Sequence, residues 1–160
     1  MFIMPDMKNT IIITLCLLGI GEIAAGQTPM KIEKSYDIPF SQAEVYAAWI
    51  SSDTVIPPAT RMDIKAEVGG HYRLIMESPD MRMMNEGKFL HIEPNSRVTY
   101  TWEWNGDGEI SNIDVTFKPT ANGTQIQLVH DGFDKAESVT NHASGWDSYV
   151  EGFIAHLAGK

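Results

Sequence analysis

The stretch LVHDGFDKAESVTNHASGW, residues 128–146, holds two histidines, two aspartates and a tryptophan. Imidazole and carboxylate groups at this density are typical of a metal site or of general acid–base chemistry. A metal ion needs three or four converging ligands, and only His130, Asp131 and His142 are close candidates. Because strand alternation places Asp131 opposite His130, the stretch favours structural hydrogen bonding, and we expect no metal.

Recognisable nucleotide and hydrolase motifs are absent from the sequence. The segment GIGEIAAG (19–26) resembles a glycine-rich loop, but its third glycine is not at the required spacing. No Walker A lysine, HExxH or GxSxG motif occurs elsewhere. We therefore expect no cofactor.

Charge and cysteine content exclude further classes of function. The formal net charge is −9, which disfavours binding to phosphate backbones or anionic lipid head groups. Nucleic acid is therefore not an expected partner. The single cysteine, Cys16, lies in an apolar run that we expect to be removed, which rules out disulfides and thiolate metal sites in the mature chain.

The first 26 residues are typical of a secretory signal. Lys8 precedes the apolar run TIIITLCLLGIG (10–21), and small residues precede Gln27. The run is shorter than the roughly 20 residues that span a bilayer. We expect a signal peptide at 1–26, one domain at 27–160, periplasmic or secreted localisation, and no membrane insertion after signal removal. The alternative is initiation at Met30, which would give a cytoplasmic domain.

The elements that must position the histidine stretch follow from hydrophobic periodicity. A strand is predicted at 31–38, and a capping box of Ser41 and Glu44 predicts a helix over about 42–50. Alternation with period two then predicts six strands separated by Gly-, Pro- and Asn-containing turns. These strands are 61–68, 71–78, 86–93, 97–104, 109–118 and 124–131. The loop SPDMRMMNE (78–86) would carry Met81, Met83 and Met84.

The last segment predicts a helix of roughly twenty residues. Its apolar stripe consists of Val139, Ala143, Trp146, Val150, Phe153 and Leu157. Asp134 and Glu137 are expected to cap its start. The predicted fold class is α+β, a curved antiparallel sheet of about six to seven strands around a long C-terminal helix. Such a curved sheet often leaves a hollow beneath the helix.

Bulky apolar residues on three strands face the predicted helix and could line this hollow. The predicted ligand-binding residues are Tyr72, Leu74, Met76, Tyr100, Trp102, Trp104, Leu128, His130, Trp146, Val150 and Phe153. A plain packed core would use the same residues, so this alternative stays open.

Five segments together resemble the SRPBCC, or START-like, superfamily. They are SYDIPFSQAEVYAAWI, VGGHYRLIM, EGKFLHIEPNSRVTYTWEW, VTFKPTANGTQIQLVHDGF and HASGWDSYVEGFIAHL. More narrowly, the chain is similar over about 31–158 to the C-terminal-like family of the activator of heat-shock-protein (90 kDa) ATPase homologue. The resemblance implies a helix-grip fold, and relatives include lipid carriers and polyketide aromatase/cyclases. The chain has Val55, Ile56, Pro57 and Pro58 where many relatives carry a tryptophan pair at the pocket lip.

Three functional hypotheses follow. The leading one is a non-enzymatic domain, monomer or homodimer, that binds a small apolar or amphipathic molecule. The second is an enzyme of the cyclase or aromatase kind that uses His130 or Glu86 as an acid/base in the pocket. The third is a chaperone-interaction domain, which requires translation from Met30.

Overall fold

A computed structural model of the chain describes residues 30–160, so the predicted signal peptide lies outside the described residues. Nine elements follow one another along this range. They are β1 (Ile32–Ile38), α1 (Gln42–Trp49), β2 (Arg61–Ile64), β3 (His71–Ser78), β4 (Met81–Glu93), β5 (Arg97–Trp104), β6 (Ser111–Thr120), β7 (Gly123–Asp131) and α2 (Ala136–Ala158).

The strands form a seven-stranded sheet in the order β1-β7-β6-β5-β4-β3-β2, with every neighbouring pair antiparallel. Consecutive strands from β2 to β7 are therefore neighbours, and β1 closes the order against β7. Both helices share their hydrophobic core with the sheet. This confirms the predicted α+β helix-grip architecture. None of the helices within residues 30–160 is long and apolar enough to cross a membrane.

The start of α1 is specified locally, as the sequence predicted. The Ser41 backbone N–H donates to Glu44 Oε2 at 3.0 Å, and the Glu44 N–H donates to Ser41 Oγ at 3.4 Å. Both halves of the capping box are therefore present. The helix buries Val45, Tyr46 and Trp49 against the sheet.

Two strand predictions need correction. The expected loop at 78–86 is wrong, because Met81 pairs with Ser78 and β4 begins there. A hairpin needs only a two-residue turn, so Met83 and Met84 lie on the strand. The strand predicted at 61–68 ends at Ile64, because a turn closed by a 2.8 Å bond from the Gly70 N–H to the Glu67 carbonyl follows it.

The start of α2 also differs from the prediction. Lys135 is the N-cap residue and supplies no side-chain bond. Instead, Glu109, from the connection between β5 and β6, accepts from the Asp134 N–H at 3.0 Å and from Ser138 Oγ at 2.8 Å. The prediction that Asp134 and Glu137 cap α2 is wrong, because Asp134 precedes the N-cap residue Lys135 and Glu109 instead links the Asp134 N–H to the Ser138 side chain in the first turn.

Candidate functional site

A cavity of about 380 Å³ lies between α2, the strands β2 to β5 and the connection 50–60. A cavity of about 150 Å³ already admits benzene, so this volume suits a molecule of roughly two or three rings. Of the described residues that line it, none is Asp, Glu, Lys or Arg. The lining residues are Trp49, Ile56, Pro57, Pro58, Met62, Ile64, Tyr72, Leu74, Met76, Phe89, Tyr100, Trp102, Trp104, Asn141, His142, Gly145, Trp146, Ser148 and Tyr149.

Seven of the eleven residues predicted from the sequence lie on this wall. They are Tyr72, Leu74, Met76, Tyr100, Trp102, Trp104 and Trp146. Whether they bind a ligand stays a prediction.

The other four predicted residues, Leu128, His130, Val150 and Phe153, do not line the cavity. Each is at most 2% exposed and lies in the packed part of the core. Leu128 and His130 lie on β7 and face the same side of the sheet as Tyr100, whereas Val150 and Phe153 lie on α2. However, the lining strands are β2 to β5, whereas Lys34 on β1 bonds to Asp147 on α2 and Trp146 on α2 bonds to the buried His130 on β7. The cavity therefore lies over the β2 to β5 part of the sheet.

The predicted set omits lining residues on α1, β2, β4, the connection 50–60 and part of α2. Helical spacing in the sequence indicates two of these residues, His142 and Tyr149. His142 precedes Trp146 by four positions and Tyr149 follows it by three, which places all three on one helix face. The family resemblance placed Ile56 and the two prolines at the pocket lip, although they were not among the predicted ligand-binding residues. The contribution of Trp49 depends on tertiary packing, for which the local pattern offers no signal.

The mouth of the cavity can be located from the exposure of its lining. The exposed members of the wall are Pro57 and Pro58 on one side, and Asn141, Gly145 and Ser148 on α2. A Cβ atom added at Gly145 would meet no heavy atom within 4 Å. The opening therefore lies between α2 and the proline pair, and Gly145 leaves room in it.

His130 is engaged at both ring nitrogens. Its Nδ1 accepts from Trp146 Nε1–H at 3.0 Å, so the ring proton lies on Nε2, which is 2.7 Å from Ser111 Oγ. Ser111 in turn donates to the Trp102 carbonyl at 3.3 Å. Burial, and secondarily the proximity of His142, lower the pKa of His130 to about 3. With its proton donated toward Ser111, the ring cannot act as a base on that hydroxyl.

His142 lies on the cavity wall and has a different set of partners. Its Nδ1 donates to the Ser138 carbonyl at 2.7 Å, the i−4 position of the same helix. Its Nε2 therefore accepts, and it receives Nε1–H groups from both Trp102 and Trp104 at 3.1 Å each. Two donors thus converge on one ring nitrogen at the edge of an apolar space.

Tyr72 is held by the strands on the far side of the cavity. Its hydroxyl lies 2.8 Å from Asn85 Oδ1 and 3.1 Å from the Thr101 carbonyl oxygen. Tyr72 pairs with Gly87, where an added Cβ would lie 1.8 Å from that same carbonyl oxygen. Glycine at this position therefore lets the ring reach across β4 to β5. Burial raises the pKa of Tyr72 well above its usual value, so the hydroxyl stays protonated.

Tyr100 and Tyr149 add neutral hydroxyl groups to the wall. Trp49 Nε1–H donates to the Tyr100 hydroxyl at 3.3 Å. Burial raises the pKa of both Tyr100 and Tyr149. The cavity is therefore an apolar space with uncharged hydrogen-bonding groups at its margins.

The candidate acid/base residues do not reach this space. Glu86 accepts from Arg73 Nε at 3.1 Å and, like His130, is not among the lining residues. Over the described range 30–160, no group of three or more His, Cys, Asp or Glu side chains could hold a metal ion. The geometry therefore suits binding by shape, apolar contact and a few neutral hydrogen bonds.

Comparisons with known proteins agree with the fold. The family model described as "Activator of Hsp90 ATPase homolog 1-like protein" matches residues 39–158. A crystal structure of a Chromobacterium violaceum protein is 20% identical, with a TM-score of 0.72 over 81% of this chain and 98% of that one. The solution structure of an AHSA1-like protein from Aeromonas hydrophila is 21% identical, with a TM-score of 0.69 over 81% and 92%.

A further similar structure is that of DynU16, a protein in the dynemicin biosynthetic locus. It is 17% identical, with a TM-score of 0.70 over 82% of this chain and 48% of that one. No curated protein matches the chain. At these identities, the structural likeness establishes the fold.

Proposed function

The chain belongs to the Activator of Hsp90 ATPase homolog 1-like family within the START-like (SRPBCC) superfamily, and from this premise we propose that it is a small-molecule-binding domain. It takes an apolar or amphipathic molecule into the cavity beneath α2, and it acts without catalysis as a monomer or homodimer. The supporting observation is the uncharged, aromatic-rich cavity of about 380 Å³ with an exposed mouth.

Burial of apolar surface drives such binding. Each Å² of apolar surface that leaves water contributes about 25 cal/mol, and aromatic walls add geometric preference for ring-shaped guests. Trp102 and Trp146 have ring centroids 5.3 Å apart, and Tyr72 and Tyr100 have centroids 5.1 Å apart. These contacts keep the wall ordered, so little side-chain entropy is lost when a guest enters.

The test is a titration with the neutral fluorescent probe N-phenyl-1-naphthylamine. We expect saturable binding at one site per chain. Gly145→Leu should weaken it at least several-fold, because a leucine side chain at the mouth obstructs entry. Gly145→Ala is the matched control, since it brings the same loss of backbone freedom and leaves the mouth open. Absence of saturable binding to the unaltered protein would contradict the proposal.

The cyclase or aromatase alternative receives no support from the geometry of its two candidate residues. His130 is completely buried with both nitrogens bonded, and Glu86 is paired with Arg73 outside the cavity. The family name by itself assigns no chaperone role to this chain.

Export is a separate part of the proposal. The apolar run at 10–21 and the small residues before Gln27 support a periplasmic or secreted mature protein. Mass spectrometry of the protein from its native host should find an N-terminus at Gln27. An N-terminus at Met30 in the cytoplasm would overturn export and favour the chaperone-interaction hypothesis.

A further inference from the structure

At the corner of the cavity formed by Trp102, Trp104 and His142, two hydrogen-bond donors share a single acceptor atom. A neutral imidazole offers one acceptor nitrogen with a single lone pair, and an indole N–H can only donate. Here two indole N–H groups share His142 Nε2, each at 3.1 Å. The other ring nitrogen is committed to the Ser138 carbonyl at 2.7 Å.

The sharing has an energetic consequence. A hydrogen bond weakens as its donor leaves the direction of the lone pair, so two donors on one lone pair cannot both be optimal. Transferring either indole N–H to a second acceptor would improve the bond that remains. Both indoles and His142 line the cavity, so a bound molecule could supply this acceptor.

The charge of the wall restricts the chemistry of the guest. Of the described lining residues, none is Asp, Glu, Lys or Arg. A carboxylate or phosphate would leave water without a fixed cation to pair with it, which is costly. A carbonyl oxygen carries the required lone pairs, and its loss of hydration on entering the cavity costs far less than that of a charged group.

We propose that Trp102 and Trp104 are the polar anchor of the site, and that its ligand is an uncharged, ring-containing molecule whose carbonyl oxygen accepts an indole N–H there. This inference rests on the proposed binding function and specifies the class of ligand. The apolar remainder of the guest lies against Tyr72, Tyr100 and Trp146.

The test compares 2-acetylnaphthalene with 2-isopropenylnaphthalene, which have nearly the same shape and differ in a C=O or C=CH₂ group. One net hydrogen bond corresponds to a preference of about two- to tenfold for the ketone. In NMR spectra of protein with ¹⁵N-labelled tryptophan, the ketone should shift the indole signals of Trp102 and Trp104 more than that of Trp49. The alkene should not produce this selective shift.

Trp104→Phe retains an aromatic wall and removes one donor, so it should reduce the ketone preference while leaving the affinity for the alkene nearly unchanged. Trp102→Phe is the second variant, and Tyr149→Phe is the control that removes a hydroxyl elsewhere on the wall. Equal binding of both probes, or a preference abolished only by Tyr149→Phe, would overturn the anchor and leave the binding function standing. If neither probe binds although N-phenyl-1-naphthylamine does, the anchor fails and the binding function stands; if none of the three binds, both fail.

Discussion

His130 and His142 illustrate how position decides the role of the same side chain. His130 lies on β7 with no exposed surface, and Trp146 and Ser111 satisfy its ring. His142 lies on α2 at the cavity wall, where its Nε2 meets two indoles. Burial keeps the first ring neutral and structural. The second is accessible to a guest.

The lowered pKa of His130 predicts that the protein loses stability as the pH falls. This pKa is lowered from 6.5 to about 3 in the folded state, so only the unfolded chain binds this proton between those values. The contribution of His130 to the free energy of unfolding is therefore complete above about pH 6.5. It is lost as the pH falls toward 3, by at most about 1.4 kcal/mol per pH unit. Urea unfolding at pH 7, 6 and 5 measures this slope.

His130→Gln provides the comparison, because glutamine is polar and does not titrate. The variant should be less stable at pH 7 but should lose stability less steeply on acidification. Since every other titratable group is common to both proteins, the difference between the two slopes isolates His130. Identical slopes would contradict the neutral, buried state of this ring.

At the scale of elements, α2 performs two tasks along its length. Its second half buries Val150, Phe153 and Leu157 in the core. Its first half exposes one face to the cavity mouth, and Glu109 links Ser138 in its first turn to the Asp134 N–H before it. The Ser138 bond lowers the pKa of this Glu109 carboxyl. The helix is thus a packed core element at one end and part of a binding wall at the other.

Two glycines in α2 should respond oppositely to the same substitution. Gly145→Ala should raise the free energy of unfolding by about 1 kcal/mol, because alanine favours helix and the new Cβ meets open space. Gly152→Ala should lower it by roughly 1–3 kcal/mol, since its Cβ would lie 2.4 Å from Ile56 Cγ2.

Chemical denaturation of both variants checks this prediction, and each serves as the other's control for helix propensity. A gain of stability at Gly152 would mean that the connection 50–60 does not pack on α2 as described. A loss of stability in Gly145→Ala would mean that other atoms already occupy the space at the cavity mouth.

At the scale of the whole molecule, the sheet and α2 form a packed half and an open half. Over β7, the residues Ile126, Leu128 and His130 are at most 1% exposed. Over β2 to β5, aromatic residues surround free space. The packed half supplies the stability that allows the open half to stay unfilled.

Ligand binding should therefore stabilise the whole fold. A guest that binds only the folded state adds RT ln(1 + [L]/Kd), about 2.7 kcal/mol at a hundredfold excess over Kd. We expect 2-acetylnaphthalene to raise the Tm of the protein by several degrees. Gly145→Leu should show a smaller rise at the same probe concentration. A Tm that does not change at saturating probe would contradict specific binding to the native state.

Local sequence pattern determined most of the fold. The capping box of Ser41 and Glu44, the alternation from β3 to β7 and the apolar stripe of α2 depend on neighbours within a few residues. The same alternation identified the strand face that carries Tyr72, Tyr100, Trp102 and Trp104. For these features, the interacting groups lie close together in the chain.

Tertiary structure alone decided where the cavity lies and which groups meet there. Leu128 and Tyr100 face the same side of the sheet, yet only Tyr100 borders free space, because side chains fill the core around Leu128 on β7 and leave a cavity over β2 to β5. The bonds of Glu109 to Asp134 and Ser138, and the meeting of two indoles at His142, likewise join residues far apart in the chain. Residue periodicity specifies a facing direction, whereas the distance to the opposite surface depends on how the complete elements pack.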